Sequence, residues 1–233
     1  MTNRNKGKAD KGSRFCLQEY IYHECEQLTL LITTASPSLL SFNYENIIWQ
    51  SPLPDKEYYE YRDDFLEPLG MANKKELLRT FWPKNGPQWD GLAIIKRKSK
   101  NGILLIEAKA HPKETKSDIK ATSKKSISLI EGSLERTKGF MGVKFSNWGK
   151  NNYQLSNRLA YSYFLNEILE IPTWLVLINF VNDESHIKTE LSDWKSHYES
   201  IFHEMGIKHD SKLLDKIIII FPQALNIKNN ETS

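Results

Sequence analysis

GPQWDGLAIIKRKSKNGILLIEAKAH, residues 86–111, predicts a β-hairpin on which the fold of the chain depends. Its two apolar runs are separated by a basic turn that ends in Asn-Gly, the strongest short-range hairpin signal. Because side chains alternate between the faces of a strand, Glu107 and Lys109 should project from one side. If the runs pair, Asp90 at the start of the first run comes level with Glu107. The stretch therefore predicts two carboxylates and an amine at one end of an apolar hairpin.

These three side chains have a specific chemical use. Two carboxylates that converge within a few ångström repel each other unless a cation lies between them, and hard oxygen ligands suit Mg²⁺ or Mn²⁺. Such a metal polarises a phosphodiester, stabilises the leaving oxygen and lowers the pKa of a bound water. An adjacent lysine can hold or help deprotonate that water and stabilise the developing negative charge. Asp90 and Glu107 are therefore candidate metal ligands, and Lys109 is a candidate catalytic residue. The alternative is an exposed hairpin with an ordinary surface Glu and Lys.

An aspartate before one strand and Glu-x-Lys at the end of the next resemble the signature of the PD-(D/E)XK nuclease superfamily. The proline that usually precedes the aspartate is replaced here by Trp89, with Pro87 two residues further back. Longer segments resemble an uncharacterised bacterial group within that superfamily: WQSPL, EYRDDFLEPLG, FWPKNGPQWD, LLIEAKAH, NYQLSNRLAYSYFLNE and LVLINFVND. The resemblance implies a restriction-endonuclease-like core, a three-layer α/β/α fold whose mixed central β-sheet is flanked by helices.

The resemblance also implies a third carboxylate, supplied by a helix upstream of the first core strand. Glu60 is the first choice because the segment that contains it matches the resembled group best. Asp63, one helical turn further, is the substitute, and Glu19 on the first predicted helix is a weaker rival. The alternative is that these charged residues belong to a solvated helix face.

A helix beside the active strands carries polar residues toward the metal or the scissile phosphate in nucleases of this kind. The matching helix is predicted over residues 152–169, and its candidates are Gln154 and Arg158. Arginine suits this role because its guanidinium group binds phosphate through two parallel hydrogen bonds. The alternative is that both side chains face solvent or cap a neighbouring loop.

The remaining secondary structure is predicted from apolar periodicity and turn residues. We expect helices over residues 15–33, 55–69, 73–81, 118–140, 152–169 and 193–205, and strands over 46–53, 92–95, 103–106, 174–181 and 216–222. A single domain over 14–225 is predicted, preceded by a mobile basic tail, 1–13, and followed by a polar tail, 226–233. The 55–69 helix is expected to use Asp55 as its N-cap and Gly70 as its stop.

Composition and residue spacing argue against several other classes of protein, including membrane-spanning, secreted and structural zinc-binding proteins. The 233 residues are 39% hydrophobic and 26% charged, and the net charge of +3 is only weakly basic. No apolar run approaches a membrane span, and the N-terminus has no signal-peptide core, so a cytoplasmic location with reduced cysteines is expected. The six histidines form no metal-binding pair by spacing, and the two cysteines cannot build a structural zinc site. His111 is expected to be a loop histidine, with contact to phosphate or water as the alternative.

Two functions remain open. The first is a nuclease that depends on Mg²⁺ or Mn²⁺ and acts on nucleic acid, with DNA expected and a homodimer possible if both strands of a duplex are cut. The second is a catalytically silent member of the same fold that binds nucleic acid or a protein. The presence of the aspartate, the glutamate and the lysine together favours the first.

Overall fold

The structure, a computed structural model, describes residues 7–144 and 146–225 and is built on one five-stranded sheet. The strands lie in chain order: β1 Asn46–Ser51, β2 Gly91–Lys96, β3 Gly102–Lys109, β4 Thr173–Asn179 and β5 Ile217–Ile220. β1, β2 and β3 pair antiparallel, whereas β4 pairs parallel to β3 and β5 pairs parallel to β4. The sheet is therefore mixed, as predicted, and each predicted strand is present.

The sheet separates two layers of helices. The helices are α1 Gly12–His23, α2 Cys25–Thr34, α3 Pro37–Leu40, α4 Lys75–Phe81, α5 Lys124–Met141, α6 Tyr153–Tyr163 and α7 Leu191–Met205. Leu105 of β3 packs in a core with α4 to α7, whereas its neighbours Leu104 and Ile106 pack in a second core with α1 to α3. Every residue of β3 and β4 is buried, as expected for central strands covered on both faces. The predicted three-layer α/β/α architecture is confirmed.

The crossover from β3 to β4 brings α6 over the sheet. A parallel connection needs a long crossover, and α5 and α6 supply it. α5 begins at Lys124, later than predicted, with the Ser123 hydroxyl accepting a hydrogen bond from the Ser126 amide at 3.1 Å. α6 continues into a π-helical turn, Phe164–Ile168, so the predicted 152–169 helix is present with a change of winding near its end.

The prediction of a helix over residues 55–69 is wrong. The segment forms two 3₁₀ turns, Pro54–Lys56 and Asp63–Leu66, and Asp55 lies inside the first of them. Between the turns Glu57 and Tyr58 have φ angles of 55° and 54°, a left-handed conformation that ends any right-handed helix.

The hydrogen bonds of this segment go to a distant loop instead. The Asp63 carboxylate accepts hydrogen bonds from the Asn85 and Gly86 amides, at 2.8 and 3.0 Å. The Tyr61 carbonyl accepts one from the Trp89 amide at 2.8 Å. These tertiary contacts outweigh the local helical pattern.

The N-terminal region also differs from the prediction. The expected 15–33 helix is two helices that meet at Glu24, whose φ and ψ of −133° and 36° are not helical. Upstream of them, the Gly7 amide donates a hydrogen bond to the Glu57 carbonyl at 2.7 Å, and the Ala9 amide donates one to Gln18 Oε1 at 2.7 Å. Residues 1–6 of the predicted basic tail and all of the polar tail, 226–233, lie outside the described residues. Within the described ranges no helix is both long enough and apolar enough to cross a bilayer.

Candidate active site

The β2–β3 hairpin brings Asp90 beside the Glu107-Ala108-Lys109 unit. Gly91 pairs with Ile106, so the residue before Gly91 lies level with Glu107. Asp90 Oδ2 accepts a hydrogen bond of 2.8 Å from the Ala108 amide, which attaches the aspartate to the backbone of β3. Hairpin register alone therefore places the carboxylates of Asp90 and Glu107 on the same end of the strand pair.

The ammonium group of Lys109 lies where three oxygen atoms converge. It donates a short hydrogen bond to Glu107 Oε1, lies 3.0 Å from the Ala108 carbonyl oxygen, and is 3.8 Å from Asp90 Oδ2. The Lys109 and Glu107 side chains are both almost fully buried. Since carboxylate and carbonyl oxygens are the ligands that hard divalent cations prefer, this set of donor atoms fits Mg²⁺ or Mn²⁺.

α6 holds the other side of Glu107 through Arg158. Arg158 Nε donates a hydrogen bond of 2.6 Å to Glu107 Oε2, and the terminal nitrogen Nη2 donates one of 2.7 Å to the Gln88 carbonyl. The remaining nitrogen, Nη1, donates to Asn157 Oδ1 at 2.8 Å, and the guanidinium group stacks 4.8 Å from the centre of the Trp89 ring. All three nitrogens of the guanidinium group therefore have partners in the protein.

Glu60 joins the same cluster, although it lies on an irregular segment and not on the helix that the resemblance implied. Its side chain is buried. Oε1 forms an ion pair with Arg14, with Nε at 2.6 Å, and Oε2 accepts a short hydrogen bond from Gln88 Nε2. We call Asp90, Glu107 and Glu60, with Lys109 and Arg158, the carboxylate cluster.

The two alternatives to Glu60 are engaged elsewhere. Asp63 anchors the loop at Gly86 and pairs with Arg79, and Glu19 pairs with Lys8 and His23.

Burial and charge move the pKa values of the cluster in opposite directions. Burial, helped by the negative charges of Glu107 and Glu60, raises the pKa of Asp90 to about 7. Burial also raises the pKa of Glu60 above its usual value, against the opposing charge of Arg14. Burial acts on Glu107 in the same sense, but the charges of Arg158 and Lys109 outweigh it and hold the pKa of Glu107 below its usual value. A further cation would therefore be stabilised most on the Asp90 side of the cluster.

A small cavity is lined by Glu107 and Lys109. It has a volume of about 20 Å³ and is bordered by the side chains of Gln154 and Arg158 from α6 and Tyr198 from α7. This is about the space that one water molecule needs. Gln154 lines the cavity, and its side chain forms no hydrogen bond within the described part of the chain.

A larger groove of about 660 Å³ borders the same two residues of α6, Gln154 and Arg158. Its walls are the loop that precedes Asp90, the segment that precedes α5, and the first turns of α6. The charged residues on it are Arg62, Lys84, Lys120 and Arg158, with Asp118 as an opposing carboxylate. Lys84 and Lys120 are exposed, so their ammonium groups are accessible to a ligand in the groove.

Sequence reasoning missed two residues that support the cluster. Gln88 accepts a hydrogen bond from Arg62 Nη2 at 2.8 Å, donates one to Glu60 and presents its carbonyl to Arg158. Arg14 reaches Glu60 from the start of α1. The position of Gln88 two residues before Asp90 was the only local signal, and nothing near Arg14 in the sequence pointed to the site.

Comparison of the chain with protein-family models, with curated proteins and with solved structures gives no match. Membership of the PD-(D/E)XK superfamily therefore stays a prediction from the residues themselves. The chemistry of the site has to be argued from its own geometry.

Proposed function

We propose that this protein is a divalent-metal-dependent nuclease that hydrolyses phosphodiester bonds, with DNA as the expected substrate. The observation that carries the proposal is the convergence of Asp90 Oδ2, Glu107 Oε1 and the Ala108 carbonyl around one cationic group, Lys109. Oxygen atoms that converge on one positive charge in this way can also hold a divalent metal ion beside Lys109.

In this proposal Asp90 and Glu107 hold Mg²⁺ or Mn²⁺, and Glu60 supplies the third carboxylate. The bound metal would polarise the scissile phosphate and lower the pKa of a water molecule. Glu60 is kept in place by Arg14 and Gln88, and Asp90 by the Ala108 amide, so the ligands come from rigid backbone and from paired side chains.

Lys109 acts on the water and on the charge of the reacting phosphate. Its ammonium group borders the cavity of about 20 Å³, which has room for one water molecule beside Glu107. From there Lys109 can orient the nucleophile and stabilise the negative charge that develops on the phosphate. Gln154 lines the same cavity and offers an amide that can hydrogen-bond the same water.

Arg158 is better suited to positioning Glu107 than to binding phosphate. Its three nitrogens are occupied by Glu107, Asn157 and the Gln88 carbonyl, and its guanidinium group is packed on Trp89. This differs from the role expected from the resemblance, in which the arginine contacts the scissile phosphate. In this proposal the exposed Lys84 and Lys120 along the groove contact the phosphates instead.

A catalytically silent protein of this fold is the second candidate function. The basic groove would then bind nucleic acid, and the carboxylate cluster would be only a buried ion-pair network. Ion-pair networks of that kind also perturb pKa values, so the pKa of Asp90 does not separate the two candidates.

Cleavage assays separate them. Purified protein is incubated with plasmid, linear DNA, single-stranded DNA and RNA, each with Mg²⁺, with Mn²⁺ and with EDTA. We expect metal-dependent cleavage that EDTA stops and that Asp90→Asn abolishes. Asp210→Asn, at an exposed carboxylate outside the site, serves as the matched control and should cleave like the parent. Cleavage that continues undiminished in EDTA would exclude the metal mechanism, and tight binding without cleavage would favour the silent protein.

A further inference from the structure

A second cluster of ligand-type side chains lies just beyond the end of β3. His111 follows Lys109 by two residues, and Glu114 lies in the 3₁₀ turn Pro112–Thr115. His186 comes from the loop between β4 and α7. One ligand atom of each side chain lies within 4.8 Å of those of the other two. We call these three residues the histidine cluster.

The distances are close to those of a metal centre. His111 Nε2 lies 3.2 Å from Glu114 Oε1. Two ligand atoms of a tetrahedral zinc site, each about 2.0–2.2 Å from the metal, lie about 3.3 Å from each other. The His111 and His186 rings meet edge to face with their centres 5.3 Å apart. One pair of ligand atoms is therefore already at the spacing that zinc requires, and the ligand atom of His186 lies within 4.8 Å of both.

The described part of the protein does not supply a hydrogen-bond partner for both ring nitrogens of His111. The residue is 9% exposed, and its Nδ1 is buried without a hydrogen-bond partner among the described residues. A buried ring nitrogen without a partner costs free energy unless a water or an ion satisfies it. The unpartnered Nδ1 does not separate a metal bound at Nε2 from the alternative, an ordinary ion pair between His111 and Glu114. The third converging ligand atom, on His186, is what favours a metal.

Neighbouring groups hold the carboxylate and the loop of the histidine cluster. Glu114 Oε2 accepts a hydrogen bond of 3.0 Å from the Ser13 hydroxyl. The Gly12 amide donates one of 3.2 Å to the hydroxyl of Ser185, the residue before His186. The Ser185 amide and hydroxyl in turn bond to Asp183 Oδ1 at 2.8 and 2.6 Å. Supporting hydrogen bonds of this kind are typical of metal sites, where they orient the ligands.

We propose that His111, Glu114 and His186 form a transition-metal site suited to Zn²⁺, with the fourth position open to water. Two imidazoles and one carboxylate are a ligand set that zinc takes in proteins, whereas Mg²⁺ prefers oxygen ligands alone. The site is chemically distinct from the carboxylate cluster and does not rest on the proposed nuclease activity.

The metal would join three segments that are far apart in the sequence. These are the start of α1 through Ser13, the turn after β3, and the loop before α7. Arg14, next to Ser13, holds Glu60 in the carboxylate cluster. Zinc in the histidine cluster would therefore also stabilise the helix end that positions Glu60.

The test is a calorimetric titration with Zn²⁺ alone, paired with thermal melting in the presence of Zn²⁺. His186→Ala removes one ligand from an exposed position, and His209→Ala removes an exposed histidine that has no role in the cluster. We expect the parent and His209→Ala to bind Zn²⁺ and melt at a higher temperature when it is present. In His186→Ala the affinity should fall by more than about 10-fold and the rise in melting temperature should disappear.

A third variant locates the bound ion. Asp90→Asn weakens any binding at the carboxylate cluster and should leave the Zn²⁺ affinity of the histidine cluster unchanged. The proposal is wrong if His186→Ala and His209→Ala titrate alike, or if Asp90→Asn removes Zn²⁺ binding while His186→Ala keeps it.

Discussion

The carboxylate cluster and the histidine cluster lie four residues apart along the chain, at Glu107 and His111, but they are built in different ways. The first consists of oxygen ligands whose negative charges are balanced by Lys109 and Arg158. The second pairs imidazoles with a single carboxylate. The first depends mainly on one hairpin, whereas the second needs a loop that follows a different strand. The comparison teaches that one strand end can place hard oxygen donors and softer imidazole donors in two separate clusters.

The largest effect is expected inside the carboxylate cluster, where the roles of ligand and catalyst can be separated. Glu107→Ala and Asp90→Ala should lose both Mn²⁺ affinity and cleavage. Lys109→Ala should keep the metal site and lose about 10²- to 10⁴-fold in rate, the range expected for a positioned proton-transfer group. Mn²⁺ calorimetry with a cleavage assay measures both quantities.

Glu107→Gln is the more conservative version of this test, since it keeps the shape of the side chain. Circular dichroism should show that each variant is folded. Cleavage by Lys109→Ala at the parental rate, or normal Mn²⁺ binding by Glu107→Ala, would contradict the assignment of roles.

The next effect concerns the buried partner of Glu107. Arg158→Ala leaves the Glu107 carboxylate without its closest guanidinium group, which should cost about 3–5 kcal/mol of unfolding free energy. Urea denaturation measures it, with Lys195→Ala on the exposed face of α7 as the matched control. If Arg158→Ala keeps parental stability and loses only activity, Arg158 contacts the phosphate and does not position Glu107.

A smaller effect is expected in the groove. Replacing Lys84 and Lys120 together with Ala removes two exposed cations from its walls. DNA affinity should fall, and the slope of log affinity against log salt concentration should decrease by about one for each phosphate that the protein no longer neutralises. Fluorescence anisotropy with labelled DNA at several salt concentrations gives the slope. A Lys195→Ala, Lys208→Ala double variant, exposed and outside the groove, should leave the slope as it is. An equal change in both double variants would mean that the groove does not bind DNA.

The smallest effect is a pH dependence near the histidine cluster. His197 Nε2 lies 2.8 Å from the Thr115 hydroxyl, at the end of the turn that carries Glu114. Burial lowers the pKa of His197 from its ordinary value of about 6.5, with a further lowering by Lys116 and an opposing effect of Glu204. Because the folded protein binds this proton less well than the unfolded chain, His197 contributes stability above pH 6.5 that is lost as the pH falls below it.

Urea denaturation at pH 7.5 and pH 5.5 tests this sign. His197→Gln keeps a hydrogen-bonding group beside Thr115 without the titration, so it should lose less stability on acidification than the parent. An equal loss of unfolding free energy in the two proteins would show that protonation of His197 does not destabilise the folded state.

Most of the fold and the centre of the carboxylate cluster were accessible from the sequence. Strand alternation and the Asn-Gly turn predicted the β2–β3 hairpin, and its register places Asp90 beside Glu107. The i, i+4 spacing on α6 puts Gln154 and Arg158 on one face, and both border the predicted site. Continuous apolar runs indicated central strands, and the three-layer architecture follows from them. Each of these features depends on interactions between residues that are close in the chain or on a regular period.

Only the tertiary structure decided the rest. Residues 55–69 carry a helical pattern, but Asp63 accepts hydrogen bonds from the amides of a loop more than twenty residues away. These contacts accompany a turn conformation in which Glu60 lies beside Gln88. Arg14 reaches Glu60 from another layer of the fold, and His186 reaches His111 across the end of the sheet. Side-chain contacts between distant segments leave no periodic pattern in the sequence. They are set by how the layers pack, which is why neither the support of Glu60 nor the histidine cluster was predicted.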